Sequence, residues 1–324
     1  MRAAPSGNCH VCGTGGSLLH RGVRDRLYGV PGDWNFRRCE NRACGVVWLD
    51  PMPIETDLHE AYADYYTHAD ERRDPGAAHG ASSARVVVNA LEQLWLGALG
   101  LKSARHRIDA MFLDDVPPGR VLDVGCGDGR LLAALRDRGW IVEGQETDAA
   151  AAENTRRTRD LTVHLGDLRH LALPAASFDA VIMNHVIEHA YDPTALVGEC
   201  LRLLKPGGAF VATTPNPEGF GHVRFGKAWR GLDPPRHLHL VSPAALAAVA
   251  RAAGFREWRV WTTPARAGGM LAASRDISRS GKDRLLGRIE PLHLAAAAWY
   301  QLLARIAHVR RADSGEEAVL KAFR

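Results

Sequence analysis

The residues of greatest chemical interest lie in Asp123–Gly129, where an acid is followed by three glycines at alternate positions, D-x-G-x-G-x-G. Val121, Leu122 and Val124 around Asp123 form the apolar run of a buried parallel strand. Leu131, Leu132 and Leu135 follow at helical spacing, and Gly139 stands where a helix closes. Glycines between a strand and a helix N-terminus let backbone approach a ligand closely. A dinucleotide site would carry G-x-G-x-x-G and lay a pyrophosphate on the helix dipole. The pattern here is one residue shorter, and Asp123 at its head suits a cationic ligand better than a pyrophosphate.

In these residues the chain resembles the class I S-adenosylmethionine-dependent methyltransferases, whose first motif has this form. The resemblance implies a cofactor pocket for S-adenosyl-L-methionine floored by Asp123, Gly125, Cys126 and Gly127, with Asp123 facing the methionyl ammonium. Cys126, inside the glycine turn, equally reads as a small buried apolar residue. Ile141–Gln145 reads as a second strand ending in Glu146-Thr147-Asp148. An acid at that tip can accept hydrogen bonds from both ribose hydroxyls. Glu146 is the first choice and Asp148, which can cap the next helix, the alternative. The third strand, Leu161–Leu165, ends in Gly166-Asp167, by itself only a turn signal. The resemblance puts Asp167 near the adenine amino group and adds Asn184, which follows the fourth strand, Phe178–Met183.

Asn184-His185-Val186-Ile187-Glu188-His189 comes next, and Asp192 then caps a helix with Pro193 at its first position. Lys205-Pro206-Gly207-Gly208 ends that helix before a fifth strand, Ala209–Thr214. NHVIEH followed by LLKPGG resembles small-molecule O-methyltransferases, including those of ubiquinone biosynthesis. Members of that group can carry E-x-x-E-H here, with carboxylates and histidine available to a divalent metal. In this chain His185 replaces the first Glu. Pro215–Val241 is long for a connection and holds Trp229, Arg230, Asp233, Pro234, Pro235, Arg236, His237 and His239. W-x-G-x-D-P-P-R-H-L resembles a substrate-side loop of bacterial methyltransferases. His185 or His237 is the expected catalytic base, with Glu188 and Arg236 orienting the histidine or the substrate. His189 and His239 equally read as packed side chains, and Arg236 as an ion-paired one.

Four of the six cysteines precede residue 45. Cys9 and Cys12 form C-x-x-C, and Cys39 and Cys44 a wider C-x4-C, a set able to offer zinc four thiolates. Two disulfides are the alternative, disfavoured in a reducing compartment. Tyr62, Tyr65 and Tyr66 belong either to an amphipathic helix or to a lid near the cofactor. His68–Ser83 reads as a loop and Ala84–Phe112 as helix.

From Arg120 the strand–helix alternation implies an α/β, doubly wound Rossmann-like sheet of order 3-2-1-4-5-7-6. Phe255–Thr263 would be its sixth strand and Glu317–Phe323 an antiparallel last one. The expected domains are a zinc-ribbon-like module over 1–53, a helical cap or linker over 54–116, and the cofactor-binding domain over 117–324. Within the last lie the substrate loop 215–241 and a helical insertion 265–313, which would cover the active-site mouth, form a homodimer or touch a membrane surface.

A chain of 324 residues with 46% hydrophobic content buries a full core, and a net charge of +4 does not demand a nucleic-acid partner. With no apolar run of signal-peptide or membrane-spanning length, the expected compartment is the cytoplasm. The expected reaction is methyl transfer from S-adenosylmethionine to a small-molecule hydroxyl of a secondary metabolite, sugar or glycan precursor. The alternatives are RNA methylation, with the zinc module gripping the nucleic acid, and a non-catalytic cofactor-binding scaffold.

Overall fold

The computed structural model describes residues 1–62, 83–283 and 291–324. Five short strands open the chain: β1 Ala3–Ala4, β2 Gly16–Val23, β3 Trp34–Cys39, β4 Val47–Asp50 and β5 Met52–Pro53. Helices α1 Ser83–Ala98 and α2 Lys102–Asp109 lead to the main sheet. There β6 Arg120–Val124, α3 Arg130–Arg136, β7 Ile141–Glu146, α4 Ala149–Arg159, β8 Thr162–Leu165 and β9 Phe178–Asn184 follow in turn. Next come α5 Pro193–Leu203, β10 Leu204–Pro215, α6 Phe220–Phe225, β11 His239–Leu240, α7 Pro243–Ala252 and β12 Glu257–Thr263. Two long helices, α8 Ala267–Ser280 and α9 Pro291–Arg310, precede the final strand, β13 Glu317–Phe323.

The seven-stranded sheet runs β8-β7-β6-β9-β10-β13-β12, with β13 antiparallel to both neighbours. This is the order and sense expected from the sequence. Strand residues alternate between two cores, as a pleated sheet requires. Leu122, Val181, Met183 and Phe210 meet α5 and α7 on one face. Val121, Ala180, Ile182 and Val211 meet Ile108 and Leu135 on the other. Strand order reverses between β6 and β9, and the crevice at their carboxyl ends is where ligands enter such sheets.

Local sequence accounts for most element ends. Asp148, Asp192 and Ser242 each accept from the amide three residues on and cap α4, α5 and α7. The helix expected over 84–112 is instead two, because Gly100 takes φ +67° and Leu101 N–H turns back to the Leu96 carbonyl. Lys205–Gly208 lies inside β10, as an irregularity in its pairing with β9. The expected insertion contains α8 and α9, and α9 leaves Leu292, Trp299, Ile306 and Val309 exposed. Among the described residues no helix is long and apolar enough to cross a membrane. Tyr65, Tyr66 and most of the expected loop His68–Ser83 lie outside the described residues.

The N-terminal strands are completed by the long loop after β10. Their sheet runs β11-β4-β3-β2, with His239 opposite Trp48 and Leu240 opposite Val47. Ser242 Oγ donates to the Cys44 carbonyl (2.6 Å), tying the start of α7 to the second cysteine pair. Two residues before β11 stands His237, so this pairing fixes where the loop's functional end lies.

Candidate active site

The glycine turn is shaped by its own stereochemistry. Gly125 has φ +68°, and a Cβ there would lie 2.7 Å from Val186 Cγ2. Beneath the turn, Asp123 is 2% exposed, and its Oδ1 has no hydrogen-bond partner among the described residues. Burial first and the neighbouring Glu146 second push its carboxyl well above the ordinary range. A bound cation would supply the missing partner and restore the carboxylate, which fits a methionyl ammonium. Glu146 Oε2 accepts from Gly127 N–H (2.9 Å), while Oε1 accepts from the amides of Thr147 (2.8 Å) and Asp148 (3.1 Å). The Asp148 carboxylate caps α4 through Ala151 N–H (2.8 Å), leaving Glu146 as the acid held over the turn.

Other members of the expected cofactor set have divided roles. Asn184 Oδ1 accepts from Thr213 Oγ1 (2.9 Å) at the carboxyl edge of the sheet. Asp167 is bound by Arg169, which holds its carboxyl below the usual range, and Arg169 also reaches Glu55. Cys126 turns inward: its side chain packs with Leu132, Ala152, Leu161 and Val163, and Gly144 leaves room for its sulfur. The side chain therefore belongs to the packing under the turn. Gln145, absent from the expected set, links the turn to the third strand end by accepting from Gly125 N–H (3.2 Å) and donating to the Gly166 carbonyl (2.6 Å).

On the opposite side of the crevice, His185 takes φ +57° and is held between two buried acids. Nδ1 lies 3.1 Å from Glu188 Oε1 and Nε2 2.8 Å from Glu317 Oε1. Burial opposes a charge here, but the bonds to Glu188 and Glu317 prevail and push the imidazole up to about 10. Glu188 has the mirror shift: burial raises it, and His185 brings it down to about 2. His185 is thus an imidazolium at neutral pH with both nitrogens engaged. Both ring nitrogens are taken up by carboxylates, where the first Glu of E-x-x-E-H would offer an acidic oxygen.

His237 is its electrostatic opposite. Its Nδ1–H donates to the Gly231 carbonyl (2.8 Å), which leaves the lone pair on Nε2. That Nε2 lies 3.9 Å from Asp233 Oδ2 and 4.0 Å from Glu188 Oε1. Burial keeps the ring neutral, down to about 4, against the opposing pull of Asp233 and Glu188. His189 lies alongside, its ring centroid 4.8 Å from that of His237, with Nδ1 2.9 Å from both the Arg236 carbonyl and the Tyr62 hydroxyl. Tyr62 thus packs into the site from the turn Glu55–Tyr62.

Arg236 and His239 are both buried within the protein. Arg236 is fully buried and bonded to Asp25, Asp233 and the Ala61 carbonyl, which ties its loop to the N-terminal segment. His239 is buried beside His10 in the N-terminal sheet. Sequence reasoning also missed Asp25, Thr214 and Glu317. Only their positions in the fold disclose them: Thr214 Oγ1 donates to Glu188 Oε2 (3.0 Å), and Glu317 starts β13 beside His185.

The four N-terminal cysteines are free and converge. Cys9 and Cys44 sulfurs are 3.6 Å apart and those of Cys12 and Cys39 3.4 Å, far beyond a disulfide bond. All four sulfurs lie within 4.8 Å of one another, close to the spacing of a tetrahedral thiolate zinc site.

The His185 clamp makes stability depend on pH. Its folded pKa is raised, so its contribution is complete below pH 6.5 and fades as pH rises through about 10. His185→Ala should cost about 3 kcal/mol at pH 6, the scale of removing one partner from a buried pair. Urea unfolding at pH 6 and pH 10 checks this, with the gap from wild type narrowing at the higher pH.

A family model described as a methyltransferase domain matches residues 100–260. A probable S-adenosylmethionine-dependent methyltransferase of Mycolicibacterium smegmatis is 33% identical over 212 residues, covering 64% of this chain and 79% of that protein. A ubiquinone biosynthesis O-methyltransferase of Xanthomonas oryzae pv. oryzae is 32% identical over 177 residues, covering 49% and 74% of the two chains. A crystal structure of a SAM-dependent methyltransferase from Archaeoglobus fulgidus covers 68% of this chain and 94% of its own, at 18% identity and a TM-score of 0.46. With the glycine turn, the acid at the second strand tip and the sheet order already established, the chain belongs to the S-adenosylmethionine-dependent methyltransferases.

Proposed function

We propose that this enzyme methylates a hydroxyl of a small molecule, with His237 as the general base. The observation that carries this reading is the open Nε2 lone pair of His237 beside Glu188, at a sheet edge where His185 has both nitrogens taken. S-adenosylmethionine supplies an electrophilic methyl on its sulfonium, so the protein's task is to align an acceptor and exclude water. As the acceptor oxygen bonds the methyl and the carbon–sulfur bond breaks, His237 Nε2 takes the hydroxyl proton. The imidazolium so formed is stabilised by Asp233 and Glu188. Low basicity keeps His237 unprotonated and available throughout the neutral range.

On the cofactor side, Asp123 is assigned to the ammonium, Glu146 to the ribose hydroxyls, and the backbone of Gly125–Gly127 to the approach to the methionyl group. Asp167 and Asn184 are assigned to the adenine end and the pocket wall. Cys9, Cys12, Cys39 and Cys44 are assigned to one structural zinc, which would fasten the strands that pair with β11. Names among the relatives, ubiquinone biosynthesis O-methyltransferase above all, support an oxygen acceptor.

Four outcomes follow. Incubating the protein with labelled S-adenosylmethionine and a cell extract should label a small hydroxylated product, and label on RNA would overturn the reading. With that product's precursor in hand, His237→Ala should lower turnover about 100-fold while leaving cofactor affinity near wild type. Glu146→Ala should weaken S-adenosylmethionine binding by about 1.5–3 kcal/mol in calorimetry. Metal analysis of freshly purified, reduced protein should find about one zinc per chain. Stripping it should loosen the N-terminal sheet and β11 while the seven-stranded sheet stays folded.

A further inference from the structure

Arg236 and His237 are adjacent in the chain, and what holds the first determines where the second points. Both residues' amides donate to the Asp233 carbonyl (3.0 Å each), winding Asp233–His237 into a single turn. The turn's one fully buried anchor is the Arg236 guanidinium. Asp25 meets it as a fork, with Nη1 3.0 Å from Oδ2 and Nη2 2.9 Å from Oδ1. Asp233 binds the remaining edge through Nε, 3.1 Å from each oxygen. The Tyr28 ring lies 4.7 Å from the guanidinium carbon.

Asp25 comes from the hairpin between β2 and β3, 211 residues away. It is preset for the task, since its Oδ1 also accepts from the amides of Leu27 (2.8 Å) and Tyr28 (3.1 Å) and its Oδ2 from Val30 (3.1 Å). A bidentate carboxylate–guanidinium pair fixes direction as well as distance. We propose that Asp25 is a positioning residue for the base, acting through Arg236 to hold the His237 ring against the Gly231 carbonyl and so keep its lone pair on Nε2. The N-terminal segment would then form part of the acceptor site. This proposal rests on the reading of His237 as the base, but its geometry is measurable without any acceptor.

The groups acting on His237 are Glu188 and His189 from the turn after β9 and Asp233 from its own loop, with Tyr62 bonded to His189 behind them. Asp25→Asn keeps a side-chain oxygen for the hairpin amides but removes the charge and one half of the fork.

The test uses the full chain, labelled with nitrogen-15 histidine, and long-range imidazole NMR at neutral pH. Wild type should show His237 as a single Nδ1-protonated tautomer, assigned by its loss in His237→Ala. In Asp25→Asn that signature should give way to a mixture of tautomers. Amide exchange over 233–238 should accelerate at least about tenfold, with β9 and β10 unchanged. Arg236→Lys keeps the charge but loses the fork, and should show the same loss, which covers the case of an Asp25→Asn chain that does not fold. A folded variant of either kind that keeps the single tautomer and wild-type exchange overturns the proposal. His237→Ala with normal methyl transfer would instead remove the base reading, an outcome independent of the NMR result.

Discussion

The buried carboxylate of Glu188 is the point on which the proposed acceptor side of this enzyme depends. One oxygen neutralises His185, the other accepts from Thr214, and its backbone carbonyl receives Leu238 N–H from the long loop (2.9 Å). A charge buried at this depth persists only when paired and hydrogen-bonded, and the protein satisfies that from three separate elements. Fixing Glu188 therefore fixes the end of β9, the end of β10 and the residue after His237 in a single arrangement. The electrostatic contrast between the two histidines follows from the same carboxylate: bonded directly to His185, it stands 4.0 Å from His237.

The two halves of the crevice are built by different means. The cofactor side is local: the glycine turn, the Glu146 bonds to amides of residues 127, 147 and 148, and the Gln145 clamp all join neighbouring βα units. The proposed acceptor side is assembled from distant chain. Asp25, Tyr62, Glu188, His237 and Glu317 arrive from five separate elements, and their bonds span up to 211 residues. One architecture can thus keep its cofactor geometry while its acceptor site is set by whatever the loops and the N-terminal sheet bring to it.

That division explains what the sequence disclosed. The places of Asp123 and Glu146 in their strands and the sheet order were legible because spacing along the chain encodes them: a strand, alternating glycines, a helix, then an acid at the next strand tip. The helical stretch expected over 84–112 is broken at Gly100, where a left-handed glycine follows α1 in a local turn that periodicity does not register. His185 and His237 carry the same side chain, and nothing in spacing separates them. Their difference comes from partners 132 residues away in one case and a loop carbonyl in the other. Arg236 was visible as a residue of interest, but its role depends on Asp25, an acid in a hairpin with no motif around it. Cys126 sits within the motif yet faces away from it, a direction that only the packing against Gly144 reveals.

The resulting site separates two duties that a single histidine performs poorly. A base must be neutral before the reaction, and a fixed cation must stay charged throughout it. Bonding to two carboxylates makes His185 permanently cationic across the neutral range, so it cannot compete for the acceptor proton. Burial disfavours the charged form of His237, and its Nδ1–H is taken by a carbonyl, so Nε2 faces acids that favour the ring once it gains a proton. With His237 as the proposed base, the free energy of that late charge would be realised as the methyl moves rather than before, which is where stabilisation accelerates a reaction. Holding such a ring neutral beside two acids requires that it not rotate, since a turned imidazole would offer Nδ1–H to Glu188 or Asp233 and lose its open lone pair. The Asp233–His237 turn, the Arg236 anchor and the strand pairing of His239 with Trp48 all tie down the loop that carries the ring.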